Sequence, residues 1–199
     1  YKPLMKYSDI VVGLQTGEND RFLRFWWEVE QEDISLDYKS DRKKWVPYAK
    51  GGPYNKWYGN LWYTVDWEND GEEIKGFVDE SGKLKSRPQN ESYYFREGLT
   101  IQRVTSGIPT VRLFPTNHIF DSAVSAVFSD KISSERLMSI MLSRVFSSIL
   151  QIENPTTNKQ AGEVKTVPIP DPSALGSKTI SSTEIRGLLG SLSHHSPLS

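Results

Sequence analysis

Up to about residue 128 the apolar positions of this chain come in short extended runs; beyond it they take up a helical rhythm. Ile10, Val11, Val12 and Leu14 crowd the stretch from Tyr7 to Leu14 and predict a buried strand or strand end. Gly13 and then Thr16 to Asp20 read as a turn-rich loop, followed by an aromatic strand through Phe22, Leu23, Phe25, Trp26, Trp27 and Val29. Ile34 to Lys44 is polar and predicts a loop or short helix. Leu61 to Trp67 alternates as a strand, Asn69-Asp70-Gly71 marks a turn, and Glu72 to Phe77 begins a short helix that stops at Asp79 to Gly82. Leu99 to Ser106, Pro109 to Leu113 and Ile119 to Phe128 are further extended segments, with a turn at Pro115-Thr116-Asn117. From Ser133 the apolar residues Leu137, Ile140, Met141, Val145, Phe146 and Ile149 recur at three- and four-residue spacing. That predicts one helix, capped at Ser133 or Ser134 and ended by Pro155. Val164 to Ile169 reads as a closing strand between prolines.

The pattern predicts an α+β fold: a mixed, mainly antiparallel twisted β-sheet with a helix from the C-terminal half docked on it. Residues 1–172 read as one domain and residues 173–199 as a flexible or atypical Ser/Gly-rich tail. Composition sharpens this. The chain has 199 residues, 37% hydrophobic and 12% aromatic, with a mean hydropathy of -0.51, so an aromatic-rich core lies under a strongly polar surface. A net charge of -1 excludes a generally basic surface, and any nucleic-acid contact must be local. The absence of cysteine excludes disulfides, thiolate metal sites and cysteine nucleophiles. No apolar run approaches the ~20 residues that cross a bilayer, so no membrane association is expected. The start at Tyr1, without a signal-peptide pattern, reads as a piece of a larger cytoplasmic protein.

The stretch from Arg42 to Trp67 carries the most chemistry. Arg42, Lys43, Lys44, Lys50 and Lys56 are interleaved there with Trp45, Tyr48, Tyr54, Trp57, Tyr58, Trp62, Tyr63 and Trp67, around a Gly51-Gly52-Pro53 turn. Cations among flat rings suit a nucleic acid, and they equally suit a core strand pair with a lysine-decorated outer face. Acids flank the stretch on both sides, from Glu28 to Asp33 and from Glu68 to Glu73. No catalytic constellation emerges. The histidines are His118, His194 and His195, with no spaced partners for a nucleophile triad. The Asp66/Glu68 pair reads as exposed acidic alternation rather than a metal site. A methyl-donor loop of FxGxG type and an Asn/Asp-Pro-Pro-aromatic motif are both missing.

Taken together in order, several blocks resemble one family. Gly13-Leu14-Gln15-Thr16-Gly17-Glu18-Asn19 with Phe22-Leu23-Arg24 is similar to the opening of target-recognition domains in adenine-specific DNA methyltransferases. Trp45 to Gly52, Lys56 to Asn60, Val65 to Lys75, Ser86 to Phe95, Phe120-Asp121 with Val127-Phe128, and Gly162 to Pro170 continue the likeness. It is closest to the C-terminal half of the large methyltransferases of BREX phage-defence systems. It is looser to fused type II restriction-modification enzymes and type I specificity subunits.

The resemblance implies a module that clamps duplex DNA, while a separate N-terminal domain binds S-adenosylmethionine and methylates adenine. Expected partners are double-stranded DNA, that methyltransferase domain and other defence-system subunits; no cofactor, metal or catalytic residue is expected in this chain. Flipping an adenine costs a few kcal/mol that flanking contacts must offset. Lys43, Lys44, Lys50, Lys56 and Arg87 are the phosphate candidates. Gln89, Asn90, Arg103 and Arg112 are the base-reading candidates, because Arg pairs with guanine and Asn/Gln with adenine. Gly17, Asn19, Gly51 and Gly52 are expected to shape loops. Duplex DNA hides its base faces, so Trp57, Trp62 and Trp67 are expected in the core. The alternatives are a carbohydrate- or peptide-binding β-rich domain and an inactive remnant.

Overall fold

In the computed structural model, residues 1–53, 55, 58–103, 110–156 and 161–171 are described. The elements run β1 (Lys2–Pro3), β2 (Asp9–Val12), α1 (Asn19–Phe22), β3 (Leu23–Phe25), α2 (Tyr38–Asp41), β4 (Trp45–Ala49), β5 (Tyr63–Asp66) and α3 (Glu68–Lys75). They continue with β6 (Gly98–Gln102), β7 (Val111–Phe114), β8 (Ile119–Phe120), β9 (Val124–Phe128), α4 (Ser134–Met141), α5 (Arg144–Glu153), α6 (Ala161–Thr166) and β10 (Pro168–Ile169).

The strands build two four-stranded sheets. The first has the order β2-β9-β6-β7 and is antiparallel throughout. The second has the order β3-β5-β4-β8, with the β4–β8 pair parallel. The first sheet is buried on both faces, and the period-2 alternation of its residues sorts them between two cores. Leu99, Ile101, Val111, Leu113 and Val127 face α4, α5 and α6, where they meet Leu137, Met141, Phe146, Leu150 and Val164. Phe114, Val124, Ala126 and Phe128 face the other way, into an aromatic core shared with Val46, Tyr48 and Val65 of the second sheet. The order of layers is therefore helices, first sheet, second sheet. This is the α+β, mainly antiparallel fold that the sequence pattern predicts.

The two sheets are joined at a seam. Past β2 the chain runs on to Leu14, which bridges Asp121 in parallel; its amide donates to Phe120 O at 2.9 Å, and Ser122 N donates to Leu14 O at 3.0 Å. On the other side Asp121 N donates to Ala49 O at 2.9 Å. Asp121 thus carries the chain from β8 in the second sheet to β9 in the first. Gly13 is required beside it, since a Cβ there would lie 1.8 Å from Phe120 O.

Several local expectations change. The stretch from Phe22 to Val29 is a helical turn, the short strand β3 and a 3-10 turn over Trp26–Glu28, closed by Glu28 accepting from Phe25 N. The single helix from Ser133 is two. Ser133 caps the first, as expected, but Ser143 caps a second by accepting from Phe146 N, and the axis breaks between them. Val164 belongs to α6, and only Pro168–Ile169 of the predicted closing strand is extended, paired with β1. Asn69, Asp70 and Gly71 form the expected turn, with positive φ, inside α3. Trp67 is buried, but Trp62 is 40% exposed, and Trp57 lies outside the described residues, as does the tail from residue 172.

Candidate nucleic-acid interface

The cations that look continuous in the sequence are divided by β4. Lys44 precedes the strand and Lys50 follows it, six residues later. At about 3.3 Å per residue that places them some 20 Å apart, at opposite ends of the second sheet. At the Lys44 end acids neutralise the cations. Lys44 Nζ lies 3.1 Å from Asp66 and 3.2 Å from Glu68, and Arg42 lies 2.6 Å from Asp70. The paired carboxylates raise the Lys44 pKa despite burial. Lys43 Nζ donates to Ile34 O at 3.4 Å. One continuous cation patch over Arg42 to Lys56 is therefore replaced by two separate ends. Lys56 itself lies outside the described residues.

The Lys50 end is different. Lys50 has no ion pair or hydrogen bond among the described residues, and its Nζ sits 5.1 Å over the Tyr63 ring. Gly51 and Gly52 follow at once. Gly52 N donates to Gln102 Oε1 at 3.3 Å, and Gly51 lies against Ala123 and Val124. Arg103 comes next to Gln102 and donates from Nη1 to Ser122 O at 2.9 Å, while its Nε is buried without a partner. So Lys50, the Gly51-Gly52 turn and Arg103 all gather around the Ala123 end of the seam.

The segment from Arg87 to Asn90 runs alongside the chain that enters the seam. Arg87 pairs through its backbone with Gln15, at 2.8 and 3.1 Å. Gln89 donates its side-chain amide to Gly13 O at 3.3 Å, and Asn90 to Val12 O at 2.8 Å. Both amides thus fasten this strap to the first sheet with one of their polar ends. Gly17 takes a φ of +78° hard against the Lys85–Ser86 backbone, and Asn19 Oδ1 accepts from Thr16 at 2.6 Å; both shape the adjoining loop. Arg112 stands apart. It is 2% exposed on the inner face of the first sheet, opposite Thr100, and Nη1 has no partner. It reaches no solvent-facing surface in this conformation.

Two features escaped the sequence reading. Arg24 lies in the Phe22-Leu23-Arg24-Phe25 run, which reads as a plain strand. Its Nη1 is tied to Asp20 O and Leu23 O at 2.6 and 2.7 Å, and its guanidinium lies 5.8 Å over the Trp45 ring. Together with Lys50 it lines a cleft of about 460 Å³. The second is Asp121. It is buried, and its Oδ2 lies 2.8 Å from the Tyr48 hydroxyl, which also contacts Leu14 O at 2.9 Å. One hydroxyl proton cannot serve two acceptors. The hydroxyl donates to Asp121 Oδ2 or to Leu14 O, one at a time, while Ala123 N donates to Asp121 Oδ1 at 2.5 Å. Desolvation raises the Asp121 pKa, against the hydrogen bonds from Ala123 N and Tyr48 and the nearby charge of Lys50.

No group of acidic and histidine residues able to hold a metal occurs among the described residues, and no helix there is long and apolar enough to cross a membrane.

No protein-family model matches the chain. Two curated proteins do. The adenine-specific methyltransferase PglX of Lacticaseibacillus casei (strain Zhang) is 36% identical over 163 residues, covering 79% of this chain and 14% of that protein. The adenine-specific methyltransferase BrxX of Escherichia coli O9:H4 (strain HS) is 35% identical over 163 residues, covering 80% of this chain and 13% of that protein. The chain is therefore related to one segment of BREX-type adenine-specific methyltransferases and spans only 13–14% of their length.

Proposed function

We propose that this chain is the duplex-recognition module of an adenine-specific DNA methyltransferase, with methyl transfer from S-adenosylmethionine supplied by a domain outside the sequence. The observation that carries the reading is the gathering of Lys50, the Gly51-Gly52 turn and Arg103 at one end of the seam, in a segment related to such methyltransferases. Lys50 and Arg103 neutralise phosphates there. The fastened strap from Arg87 to Asn90 brings Arg87 alongside and leaves the second polar end of each amide to a base edge. Rigid attachment matters because the energy of flanking contacts must offset base flipping without first being spent on ordering loops.

The salt dependence of duplex binding tests the reading. Each phosphate contact contributes about 0.9 to the slope of log K against log salt. Lys50→Glu with Arg103→Glu should lower the slope by about 2 and weaken binding at low salt. Lys44→Glu, at the acid-paired end, should leave the slope unchanged. Salt-insensitive binding of an oligosaccharide, with no duplex affinity at low salt, would favour the carbohydrate reading instead.

A further inference from the structure

Arg24, Lys50, Asp20 and Glu28 line the same cleft, yet none of them pairs with another. Elsewhere on this surface opposite charges do meet, as in Arg21–Glu73, Lys75–Glu91 and Lys85–Glu18. Inside the cleft three of the four charges are held by a local contact of their own. Arg24 is tied through Nη1 to two backbone carbonyls. Lys50 rests on the Tyr63 ring. Glu28 spends Oε2 on Phe25 N, at 2.7 Å. The Asp20 carboxylate has no hydrogen bond or ion pair among the described residues, though its carbonyl accepts from Arg24. What remains is unspent capacity: Nε and Nη2 of Arg24, the ammonium donors of Lys50, Oε1 of Glu28 and both oxygens of Asp20.

The apolar wall between these charges is equally fixed. Phe25 stacks on Tyr63 with centroids 4.7 Å apart and on Trp27 at 4.6 Å, so Lys50, Tyr63, Phe25 and Trp27 form one continuous column. Phe25 and Tyr63 of this column line the cleft. At about 460 Å³ the space lies within the roughly 300–1,000 Å³ range of small-ligand sites.

We propose that this cleft binds a single nucleotide carrying an amino-bearing base. Arg24 and Lys50 take the phosphate, Glu28 and Asp20 accept from the exocyclic amine, and the base lies along the Phe25–Tyr63 wall. A duplex backbone alone leaves the site half used, because it offers Lys50 a phosphate but offers Glu28 and Asp20 no donor. A sugar has no anion for Arg24 and Lys50. The nucleotide is either free or an unpaired residue of a strand; both present the same groups.

Isothermal titration of the whole chain with deoxyadenosine monophosphate, thymidine monophosphate, inorganic phosphate and glycylglycine tests this. Deoxyadenosine monophosphate should bind about tenfold more tightly than thymidine monophosphate, whose base lacks the amine, a difference of the size expected for one charge-assisted hydrogen bond. Glu28→Gln keeps an acceptor for Phe25 N but presents an amide to the base, and should abolish the discrimination. Lys50→Met should weaken both nucleotides by a similar factor, and unchanged urea midpoints would show that both variants fold. A short oligodeoxyadenylate that outcompetes the free nucleotide would place the ligand in a strand, and the reverse would make it a soluble nucleotide. Equal binding of the two nucleotides, displacement by equimolar inorganic phosphate, or tighter binding of glycylglycine overturns the proposal. Mononucleotide binding needs no duplex, so its failure leaves duplex recognition standing, and a failure of duplex binding leaves the cleft standing.

Discussion

Replacing His118 by glutamine should flatten the acid limb of the chain's stability profile. His118 is 8% exposed at the start of β8, and its Nδ1 lies 3.0 Å from Thr116 O. Burial lowers its pKa from 6.5 to about 4, so the ring is neutral at pH 7 and Nδ1–H donates to that carbonyl. The unfolded chain titrates near 6.5 and takes up the proton first as the pH falls. Stability is therefore lost from about pH 6.5 downward, until the folded ring also titrates near pH 4. The two pKa values give a loss of about 2 kcal/mol between pH 7 and pH 5, rising to about 3 kcal/mol at pH 4. Asp121, raised by burial, opposes this trend, and Asp41, lowered by hydrogen bonds from Ser35 and neighbouring amides, adds to it. Both are present in wild type and variant, so the difference isolates His118. Urea unfolding followed by tryptophan fluorescence at pH 7 and pH 5 measures it. The reasoning fails if the two proteins lose the same stability within about 0.5 kcal/mol, or if the imidazole of the folded chain titrates near its ordinary value.

Gly13→Ala should cost more than about 3 kcal/mol, because its Cβ would strike the Phe120 carbonyl that Leu14 N needs; chemical denaturation reads this directly. Asp121→Asn leaves one amide oxygen where two carboxylate oxygens accept from Ala123 N and Tyr48, and should lose about 1 kcal/mol. Asp121→Ala strands both partners and should lose about 2–3 kcal/mol.

The strands were legible where their residues belong to buried surfaces. Leu99 to Gln102, Val111 to Phe114 and Val124 to Phe128 announce themselves because both faces of the first sheet are covered, which leaves few polar interruptions. The break between α4 and α5 was hidden because Leu142 and Ser143 interrupt the helix without disturbing its apolar period; a serine three residues before Phe146 was the available signal. The candidate site was partly legible. Lys50, Gly51, Gly52 and Arg103 meet as a set, but their meeting depends on Gln102 reaching Gly52 across fifty residues of chain. The separation of Lys44 from Lys50 was not visible, because a run of charges says nothing about the strand between them. Arg24 was missed for a related reason: a single cation among aromatics reads as the solvent side of a strand until Lys50 is brought beside it.

The seam around Asp121 also bears on which substitutions the junction between the sheets tolerates. Leu14 is joined to Phe120 and Ser122, and Ala49 to Asp121, by main-chain hydrogen bonds, to which Tyr48 and Arg103 add side-chain donors. A main-chain junction of this kind outlasts changes of side chain at its half-buried and exposed positions, Ser122 and Ala123, so long as Gly13 is kept. The two sheets can therefore stay joined while the surface around the junction changes.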